Sequence, residues 1–274
     1  MPSINDSKCI LIVGSTAGIG RSLALSILAL PSKPTVIVCG RRKERLDELV
    51  AAHGGDGRLK AVQLDVTIDR TSLKASIDDI IEQFPELDAV MFSSGIQHIS
   101  DFSEPETINL DDVISELTVN YISIVSMITF FLPHLIKIGE TRPSFIYTIS
   151  SNLGIAPVPG APNYCATKAA LHSLSLSLNV QLKNQNVHVV EIIPPLVESE
   201  LHELHHAGQG GAEAYSGIWM PLEQFTKATM VCLERGDVQI PVGRAARRYA
   251  KYESGKLEGI LRMQAFQRKA AEGN

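Results

Sequence analysis

The sequence predicts an α/β domain built on a doubly wound parallel sheet with helices on both faces. Short apolar runs that suit buried strands alternate with helical patterns from residue 9 to residue 242. No linker rich in proline, glycine and serine divides the chain, which argues against two domains. We therefore expect a single domain over residues 1–274, with a core at about 8–243, a lid at about 198–222 and a tail at 244–274. The basic tail is assigned to the surface or to a subunit contact.

Seven apolar runs fit the strands of this sheet. The sixth ends before Pro194 and Pro195, which cannot continue a central strand. The strands are predicted at residues 9–13, 35–39, 59–64, 88–92, 145–149, 187–193 and 238–242. Helical patterns are predicted after residue 20, at 70–84, from 111, from 164 and at 221–235.

The composition narrows the functional class. A hydrophobic fraction of 45% and a charged fraction of 20% are ordinary for a soluble globular protein. The net charge of −5 gives no general attraction to nucleic acid. The four cysteines are scattered, which fits free thiols in a reducing compartment. The N-terminal residues lack signal- and transit-peptide features, so we expect a cytoplasmic protein without nucleic-acid or membrane partners.

An apolar stretch at residues 117–136 contains no Asp, Glu, Lys or Arg and is long enough to cross a membrane. It nevertheless contains Asn120 and other polar residues, and no basic cluster flanks it. We predict a helix buried against the sheet and against a partner subunit. Together with the apolar pattern at residues 169–182, it predicts a homodimer or homotetramer.

A glycine-rich turn, GSTAGIG at residues 14–20, joins the first strand to a helix. Glycines let the backbone approach a pyrophosphate, and the N–H groups of the helix stabilise its charge. Such a turn could equally be a tight turn without a ligand, but its place after the first strand favours phosphate binding. The candidate contacts are Gly14, Ser15, Thr16, Gly18, Ile19 and Gly20.

Arg41 and Arg42 follow the second strand, and no acidic residue stands at its tip. In dinucleotide-binding sheets an acidic residue here takes the ribose 2′-hydroxyl, whereas arginine accommodates a 2′-phosphate. Guanidinium groups suit phosphate because their donors are forked and permanently charged. Alternatively, the two arginines are solvent-exposed residues at the start of the next helix and bind no cofactor. The pair favours NADP(H) as the cofactor.

Two further strand ends carry candidate cofactor contacts. Asp65 and Val66 close the third strand, and Asp65 either contacts the cofactor or caps the following helix. Ser93, Ser94 and Gly95 follow the fourth strand. Ligands of open α/β sheets lie beyond the carboxyl ends of the strands, and small residues there suit a ligand that passes close by.

Tyr164 and Lys168 lie one turn apart on the same face of a predicted helix. A phenol with a pKa of about 10 is a poor acid–base catalyst at neutral pH, and a neighbouring ammonium group lowers that pKa. Ser151 ends the fifth strand, so its hydroxyl can face the same cleft. A Tyr-x-x-x-Lys pair often arises by chance, but its position after the nucleotide-binding strands favours one proton-handling unit. Asn120 is expected to be buried, and without further information its side chain is assigned a structural role, in hydrogen bonds to the neighbouring backbone.

The segment at residues 198–216 is rich in histidine and glycine and is interpreted as a lid or a substrate wall. A zinc site at His202, His205 and His206 would need a further ligand and a rigid frame, so we expect no metal. The substrate pocket is predicted to be walled by Gln97, His98, residues 155–159, Tyr215, Trp219 and Met220, which suits a medium-sized, partly apolar carbonyl compound.

These motifs, in this order, resemble the short-chain dehydrogenase/reductase family of Rossmann-fold oxidoreductases. Residues 14–20 match its Thr-Gly-x-x-x-Gly-x-Gly turn, with Val13 in place of the threonine. Residues 194–199 resemble its Pro-Gly-x-Val-x-Thr motif, and the match spans about residues 8–243. The resemblance assigns a catalytic tetrad of Asn120, Ser151, Tyr164 and Lys168, and adds Pro194, Val197 and Ser199 to the cofactor contacts.

The resemblance implies NADPH-dependent hydride transfer between the nicotinamide and the carbonyl of a ketone or aldehyde. It implies that Tyr164 gives a proton to the alkoxide, that Ser151 bonds the carbonyl oxygen and that Lys168 lowers the pKa of Tyr164. Asn120 would hold a water, and Asp65 would contact adenine. Imine reduction, a biosynthetic ring closure and a non-catalytic NADPH-binding sensor or assembly subunit stay open as alternatives.

The chain departs from the family pattern at two further places. Phe92-Ser93-Ser94-Gly95 stands where the family has Asn-Asn-Ala-Gly, so the sheet-bracing asparagine side chain must be substituted by another group. Pro195 replaces a glycine and stiffens the start of the lid.

Overall fold

The computed structural model describes residues 1–203 and 219–272. In these residues a seven-stranded parallel sheet has the order β3-β2-β1-β4-β5-β6-β7. The order reverses between β1 and β4, which makes this position the topological switch point where such sheets bind ligands. The strands are β1 (Cys9–Val13), β2 (Thr35–Gly40), β3 (Leu59–Gln63), β4 (Ala89–Phe92), β5 (Ser144–Ile149), β6 (Val187–Ile193) and β7 (Gln239–Pro241).

Helices cover both faces of this sheet. Alternate residues of each central strand enter one of two hydrophobic cores; Ile10 and Ile12 of β1 face one core, and Leu11 and Val13 face the other. The helices are α1 (Gly18–Leu28), α2 (Lys43–His53), α3 (Arg70–Gln83), α4 (Leu110–Leu117), α5 (Ser123–Gly139), α6 (Pro162–Gln181), α7 (Glu200–Glu203), α8 (Leu222–Arg235), α9 (Arg244–Tyr252) and α10 (Lys256–Glu272).

The predicted strands are confirmed, and their bounds differ from the prediction by at most one residue at either end. The agreement has a simple cause: strands covered on both faces are continuous apolar runs with polar or glycine residues at their ends. The sixth strand ends at Ile193, directly before the two prolines, as predicted.

The apolar stretch around residue 120 forms a long helical segment, in which a π-helical turn at Thr118–Ile122 joins α4 to α5. Residues 110–139 are long and apolar enough to cross a membrane. One face of α5, with Met127, Phe131 and Leu135, is nevertheless fully buried in the core beneath the sheet. The segment therefore packs as a core helix of the domain.

The C-terminal tail packs against the domain through a buried polar contact. Glu253, which follows α9, is 5% exposed, and its carboxylate lies 3.0 Å from Nε2 of His172 on α6. Nδ1 of His172 lies 2.8 Å from the carboxylate of Glu191 on β6. The tail is thus joined to β6, the strand beside the edge strand β7, and α9 is held at the carboxyl end of β7.

Candidate active site

A cleft of about 1290 Å³ lies along the carboxyl edge of the sheet, over the switch point. Most of the residues predicted from the sequence as site residues line it. They are Gly14, Thr16, Gly18, Ile19, Arg41, Arg42, Val66, Ser94, Gly95, Ser151, Tyr164, Lys168, Pro194, Val197 and Ser199.

The glycine-rich turn has a backbone that requires its glycines. Gly14 has a φ of +86°, and a Cβ at this residue would lie 2.4 Å from the backbone nitrogen of Ser94. Gly18, with a φ of +53°, begins α1, and Ala17 before it supplies no capping side chain. The first N–H groups of α1 therefore face the cleft without a side-chain acceptor, which fits the pyrophosphate of a dinucleotide.

Ser15 and Gly20 lie behind the cleft and shape the turn. The Ser15 hydroxyl is fully buried; it donates to the carbonyl of Ile12 at 2.8 Å and accepts from the N–H of Cys39 at 2.7 Å. A Cβ at Gly20 would lie 2.3 Å from the carbonyl oxygen of Gly14. Neither residue lines the cleft, so the structure gives both a role in the backbone of the turn.

Asp65 also lies outside the cleft lining. Its carboxylate accepts hydrogen bonds from the N–H of Thr67 at 2.9 Å and from the Thr67 hydroxyl at 2.7 Å. Helix α3 is capped by Asp69, which accepts from the N–H groups of Thr71 and Ser72. The alternative that Asp65 caps this helix is therefore wrong. The acidic cap stands four residues further along, directly before the helix.

The arginine end of the cleft contains a carboxylate that the sequence did not reveal. Arg42 donates to the hydroxyl of Thr16 at 3.0 and 2.6 Å, and its Nη1 lies 2.9 Å from Glu200 of α7. Arg45 lies 2.6 Å from the same carboxylate. Hydrogen bonds from Arg42 and then from Arg45 lower the pKa of Glu200. No sequence motif pointed to Arg45 or Glu200, because they are 155 residues apart.

Ser151, Tyr164 and Lys168 meet at the centre of the cleft. Tyr164 and Lys168 are 6% and 4% exposed, and the Lys168 ammonium lies 5.6 Å from the centre of the Tyr164 ring. Lys168 donates to the carbonyl of Ile149 at 2.9 Å. The Ser151 hydroxyl accepts from the N–H of Leu153 at 3.1 Å. Helix α6 begins at Pro162, a favourable residue for a first turn, and this start places the tyrosine and the lysine on the inner face.

Burial controls the protonation of this group. It raises the pKa of Tyr164 above its ordinary value, and a hydrogen bond with Ser151 opposes the rise only in part. The lowering that we expected from Lys168 is therefore not the dominant effect in the ligand-free protein, because desolvation disfavours the phenolate. Burial also lowers the pKa of Lys168 to about 8. At neutral pH the phenol is thus protonated and can donate a proton.

Asn120 is fully buried in the π-helical turn and does not line the cleft. Its side chain accepts from the N–H of Ile96 at 2.9 Å and donates to the carbonyl of Ile96 at 2.8 Å and to Thr167 at 3.2 Å. A Cβ at Gly95 would lie 3.4 Å from Asn120 Oδ1 and 3.7 Å from Lys168 Nζ. Only a glycine separates the amide from the ammonium group, and the water-holding role of Asn120 stays a prediction.

The structure locates some of the residues that were expected to wall the substrate pocket. Gln97, Val158, Trp219 and Met220 line the cleft. The His98 N–H donates instead to the buried carboxylate of Glu116 at 2.7 Å. Tyr215, His205 and His206, together with the side chain of His202, lie outside the residues that the structure describes.

The base of the predicted lid is closed by a short parallel bridge between Val197 and Met220. Glu198 N–H donates to the carbonyl of Met220 at 3.0 Å, and Met220 N–H donates to the carbonyl of Leu196 at 2.8 Å. The two ends of the 198–222 segment are therefore held together beside the cleft.

Helix α9 adds cleft residues that the sequence analysis assigned to a surface tail. Arg244, Arg247 and Arg248 line the cleft, and Arg248 donates to the carbonyl of Ala156 at 3.3 Å. The three side chains are exposed, so the surface position expected for the tail stands, and the contact with the cleft is an addition to it. The available signal was three arginines within five residues, directly after the carboxyl end of the last strand.

Comparison with known proteins agrees with this geometry. The family model described as short chain dehydrogenase matches residues 8–209. The chain is 34% identical over 235 residues to the uncharacterized oxidoreductase DltE of Bacillus subtilis (strain 168), covering 85% of this chain and 87% of that protein. A short-chain dehydrogenase from Sphingobium yanoikuyae, solved with NADPH, has a TM-score of 0.77 at 22% identity and covers 93% of this chain and 94% of its own.

A second solved structure shows that the bound nicotinamide cofactor varies among proteins of this fold. The 3-ketoacyl-(acyl-carrier-protein) reductase from Brucella melitensis, complexed with NADH, has a TM-score of 0.70 at 20% identity and covers 83% of this chain and 91% of its own. The fold, the glycine turn and the family match lead to one conclusion: the chain is an oxidoreductase of the short-chain dehydrogenase family.

Proposed function

We propose that this protein is an NADPH-dependent reductase of ketones or aldehydes. The observation that carries the proposal is the grouping of Ser151, Tyr164 and Lys168 in one cleft with the glycine-rich turn. A buried, protonated phenol beside an ammonium group suits proton donation to a carbonyl oxygen.

The cleft fits a nicotinamide dinucleotide. The uncapped start of α1 supplies N–H donors for the pyrophosphate. The Ser94 hydroxyl is a buried polar atom without a hydrogen-bond partner in the described residues, and it lines the same cleft. When bound, the reduced nicotinamide supplies the hydride that adds to the carbonyl carbon.

The chain's own residues handle the proton and the developing charge. The Tyr164 phenol donates its proton to the carbonyl oxygen and becomes a phenolate. The Lys168 ammonium, 5.6 Å from the ring centre, stabilises that phenolate, and its burial strengthens the attraction. The Ser151 hydroxyl donates to the same carbonyl oxygen as negative charge develops there.

The charge at the β2 end of the cleft supports NADPH over NADH. Arg41, Arg42 and Arg45 bring three positive charges, and the carboxylate of Glu200 offsets only one of them. The ion pairs are more than 40% exposed, so they cost little to break. A 2′-phosphate would compensate the remaining charge.

The exposed side of α4 supports assembly with a second copy of the chain. Leu110 and Ile114 are 68% and 60% exposed, and Leu117 and Ile122 continue the same apolar face. We propose that this face is covered in a homodimer or homotetramer. Buried free thiols, as at Cys9 and Cys39, support a reducing, cytoplasmic location.

The test is NADPH oxidation with a panel of ketones and aldehydes, followed by absorbance. Tyr164→Phe removes the proton donor and is expected to lower kcat by about 10²–10⁴-fold while NADPH binding is retained. Quenching of Trp219, the single tryptophan, reports that binding. Equal turnover by Tyr164→Phe and the wild type would remove Tyr164 from the mechanism.

A further inference from the structure

We propose that Arg244, Arg247 and Arg248 form an oxyanion-binding site at the substrate end of the cleft, and that the carbonyl substrate carries a carboxylate or sulfonate group. The inference rests on the proposed reductase function and names its substrate class. The three side chains belong to α9 and line the cleft.

The position of α9 brings these arginines to the substrate. Arg248 donates to the carbonyl of Ala156, in the loop that follows Ser151. A Cβ at Gly243, the residue before the helix, would lie 3.2 Å from Met220 Sδ and 3.9 Å from Pro195 Cγ. Helix α9 thus begins beside Met220, at the base of the lid, and Pro195, just after the end of strand β6.

The cluster is separate from the arginines proposed for the cofactor. Arg41 and Arg42 follow β2, whereas α9 follows β7, and five strand spacings separate these strands in the sheet. At about 4.8 Å per spacing this is about 24 Å. The phosphate-binding turn follows β1 and lies four spacings from β7. A charge carried by the substrate matches this end of the cleft, beyond the catalytic group.

The charges of the cluster are not offset within the described residues. None of the ion pairs between described side chains involves Arg244, Arg247 or Arg248, whereas Arg42 and Arg45 both pair with Glu200. The spacings i, i+3 and i, i+4 place the three on one helix face, where like charges repel each other. An oxyanion bound by their forked donors would relieve this repulsion.

A second polar group lies in the same corner. The side-chain oxygen of Asn152 is buried without a hydrogen-bond partner in the described residues, and Asn152 lines the cleft. It begins the short 3₁₀ turn Asn152–Gly154, against which α9 packs. Rotation of the amide would present an N–H to an oxyanion.

The first measurement compares matched substrates that differ only in charge. We choose 5-oxohexanoate, its methyl ester and the corresponding sulfonate as probes, with NADPH as reductant. The wild type should prefer the charged probes by at least about tenfold in kcat/KM, and the better of the two identifies the oxyanion. The double variant Arg244→Gln/Arg247→Gln should lose about tenfold or more on the charged probes, mainly through KM, and change little on the ester.

The control is Lys251→Gln, which removes a cation from the same helix away from the cleft lining. It should leave all three probes unchanged. If the double variant lowers the rates on ester and acid equally, or if the wild type shows no preference for charge, the oxyanion site is overturned while carbonyl reduction stands.

A binding measurement keeps the site testable if no probe is reduced. Hexanoate, which has no ketone, is titrated against the Trp219 fluorescence of the wild type and the double variant. Saturable quenching in the wild type, weakened about tenfold or more in the double variant, supports the site even when the proposed reductase activity fails. Identical titrations, or no response in the wild type, overturn it.

Discussion

Lys168 donates a hydrogen bond from Nζ to the backbone carbonyl of Ile149, the last residue of β5, at 2.9 Å. This bond joins the inner face of α6 to the carboxyl end of the strand that leads to Ser151. It holds the ammonium group of a side chain that is only 4% exposed. The geometry of the candidate site is therefore maintained at a cost in stability, which can be measured.

Lys168→Met should stabilise the ligand-free protein at neutral pH. Burial lowers the pKa of Lys168 from 10.5 to about 8, so below pH 8 the folded state holds a buried charge. Between about pH 8 and 10.5 the unfolded state binds more protons, and wild-type stability therefore rises with pH. At about 1.4 kcal/mol per pKa unit, the gain from the substitution is at most about 3–4 kcal/mol at pH 7.

Urea unfolding at neutral pH and near pH 10 checks this expectation. The difference between Lys168→Met and the wild type should shrink at the higher pH. Lys183→Met, at an exposed position, serves as the control. A variant that is less stable than the wild type at both pH values contradicts the burial cost.

Glu200→Gln should improve the binding of NADPH. The Glu200 carboxylate holds Arg42 and Arg45, the donors that a 2′-phosphate would use. Its removal frees them, so the KM for NADPH should fall about three- to tenfold while the KM for NADH changes little. Arg45→Ala should raise the KM for NADPH.

Steady-state kinetics with both cofactors provide the measurement. Asp47→Asn removes an exposed carboxylate that pairs with Lys43 instead, and it should have no effect. If Glu200→Gln alters the KM values for NADPH and NADH equally, the carboxylate does not compete with the 2′-phosphate.

His172→Gln should weaken the protein mainly at acidic pH. Burial alone would lower the pKa of His172, but its bonds to Glu191 and Glu253 outweigh burial and raise it. The stabilisation is therefore complete below the unfolded pKa of about 6.5 and is lost as the pH rises through the folded value. The loss in the variant should be about 1–3 kcal/mol at pH 6 and smaller at pH 9.

Thermal and urea unfolding of the wild type and the variant between pH 6 and pH 9 measure the contribution of His172 to stability. His53→Gln changes an exposed histidine at the end of α2 and should behave like the wild type. A loss of stability that does not depend on pH would show that His172 contributes packing without a proton-linked contact.

Ile114→Glu should dissociate the proposed oligomer. A charge at the centre of the exposed apolar face of α4 would have to be desolvated in a subunit contact. Size-exclusion chromatography with light scattering should show a monomer. Val231→Glu, at a side chain of α8 that is 57% exposed, should keep the wild-type mass. A wild-type monomer would contradict the assembly itself.

The strands, the sheet type and the group of Ser151, Tyr164 and Lys168 were predictable because their signals are local. A parallel strand buried on both faces is an uninterrupted apolar run, and a tyrosine and a lysine four residues apart on a helix share a face. The glycine turn follows the same rule, since its φ angles at Gly14 and Gly18 require glycine. These features depend on neighbours in the chain.

The hydrogen-bond partners of Ser15 and Asp65 could not be predicted from such local signals. Ser15 was predicted to contact the cofactor, and Asp65 to contact it or to cap a helix. Neither lines the cleft, and the Ser15 hydroxyl and one oxygen of the Asp65 carboxylate form hydrogen bonds within the protein. A polar side chain next to a binding turn can point either way, and the choice depends on which buried backbone groups need a partner.

The sequence by itself determined the doubly wound sheet, the glycine-rich turn and the grouping of Ser151, Tyr164 and Lys168, because short-range periodicity and steric rules encode them. Only the tertiary structure decided that Glu200 meets Arg42 and Arg45 and that the arginines of α9 reach the cleft. It also decided the proton affinities of Tyr164 and Lys168. Charge pairing between distant segments and desolvation depend on the packing of the whole domain, which no local pattern contains.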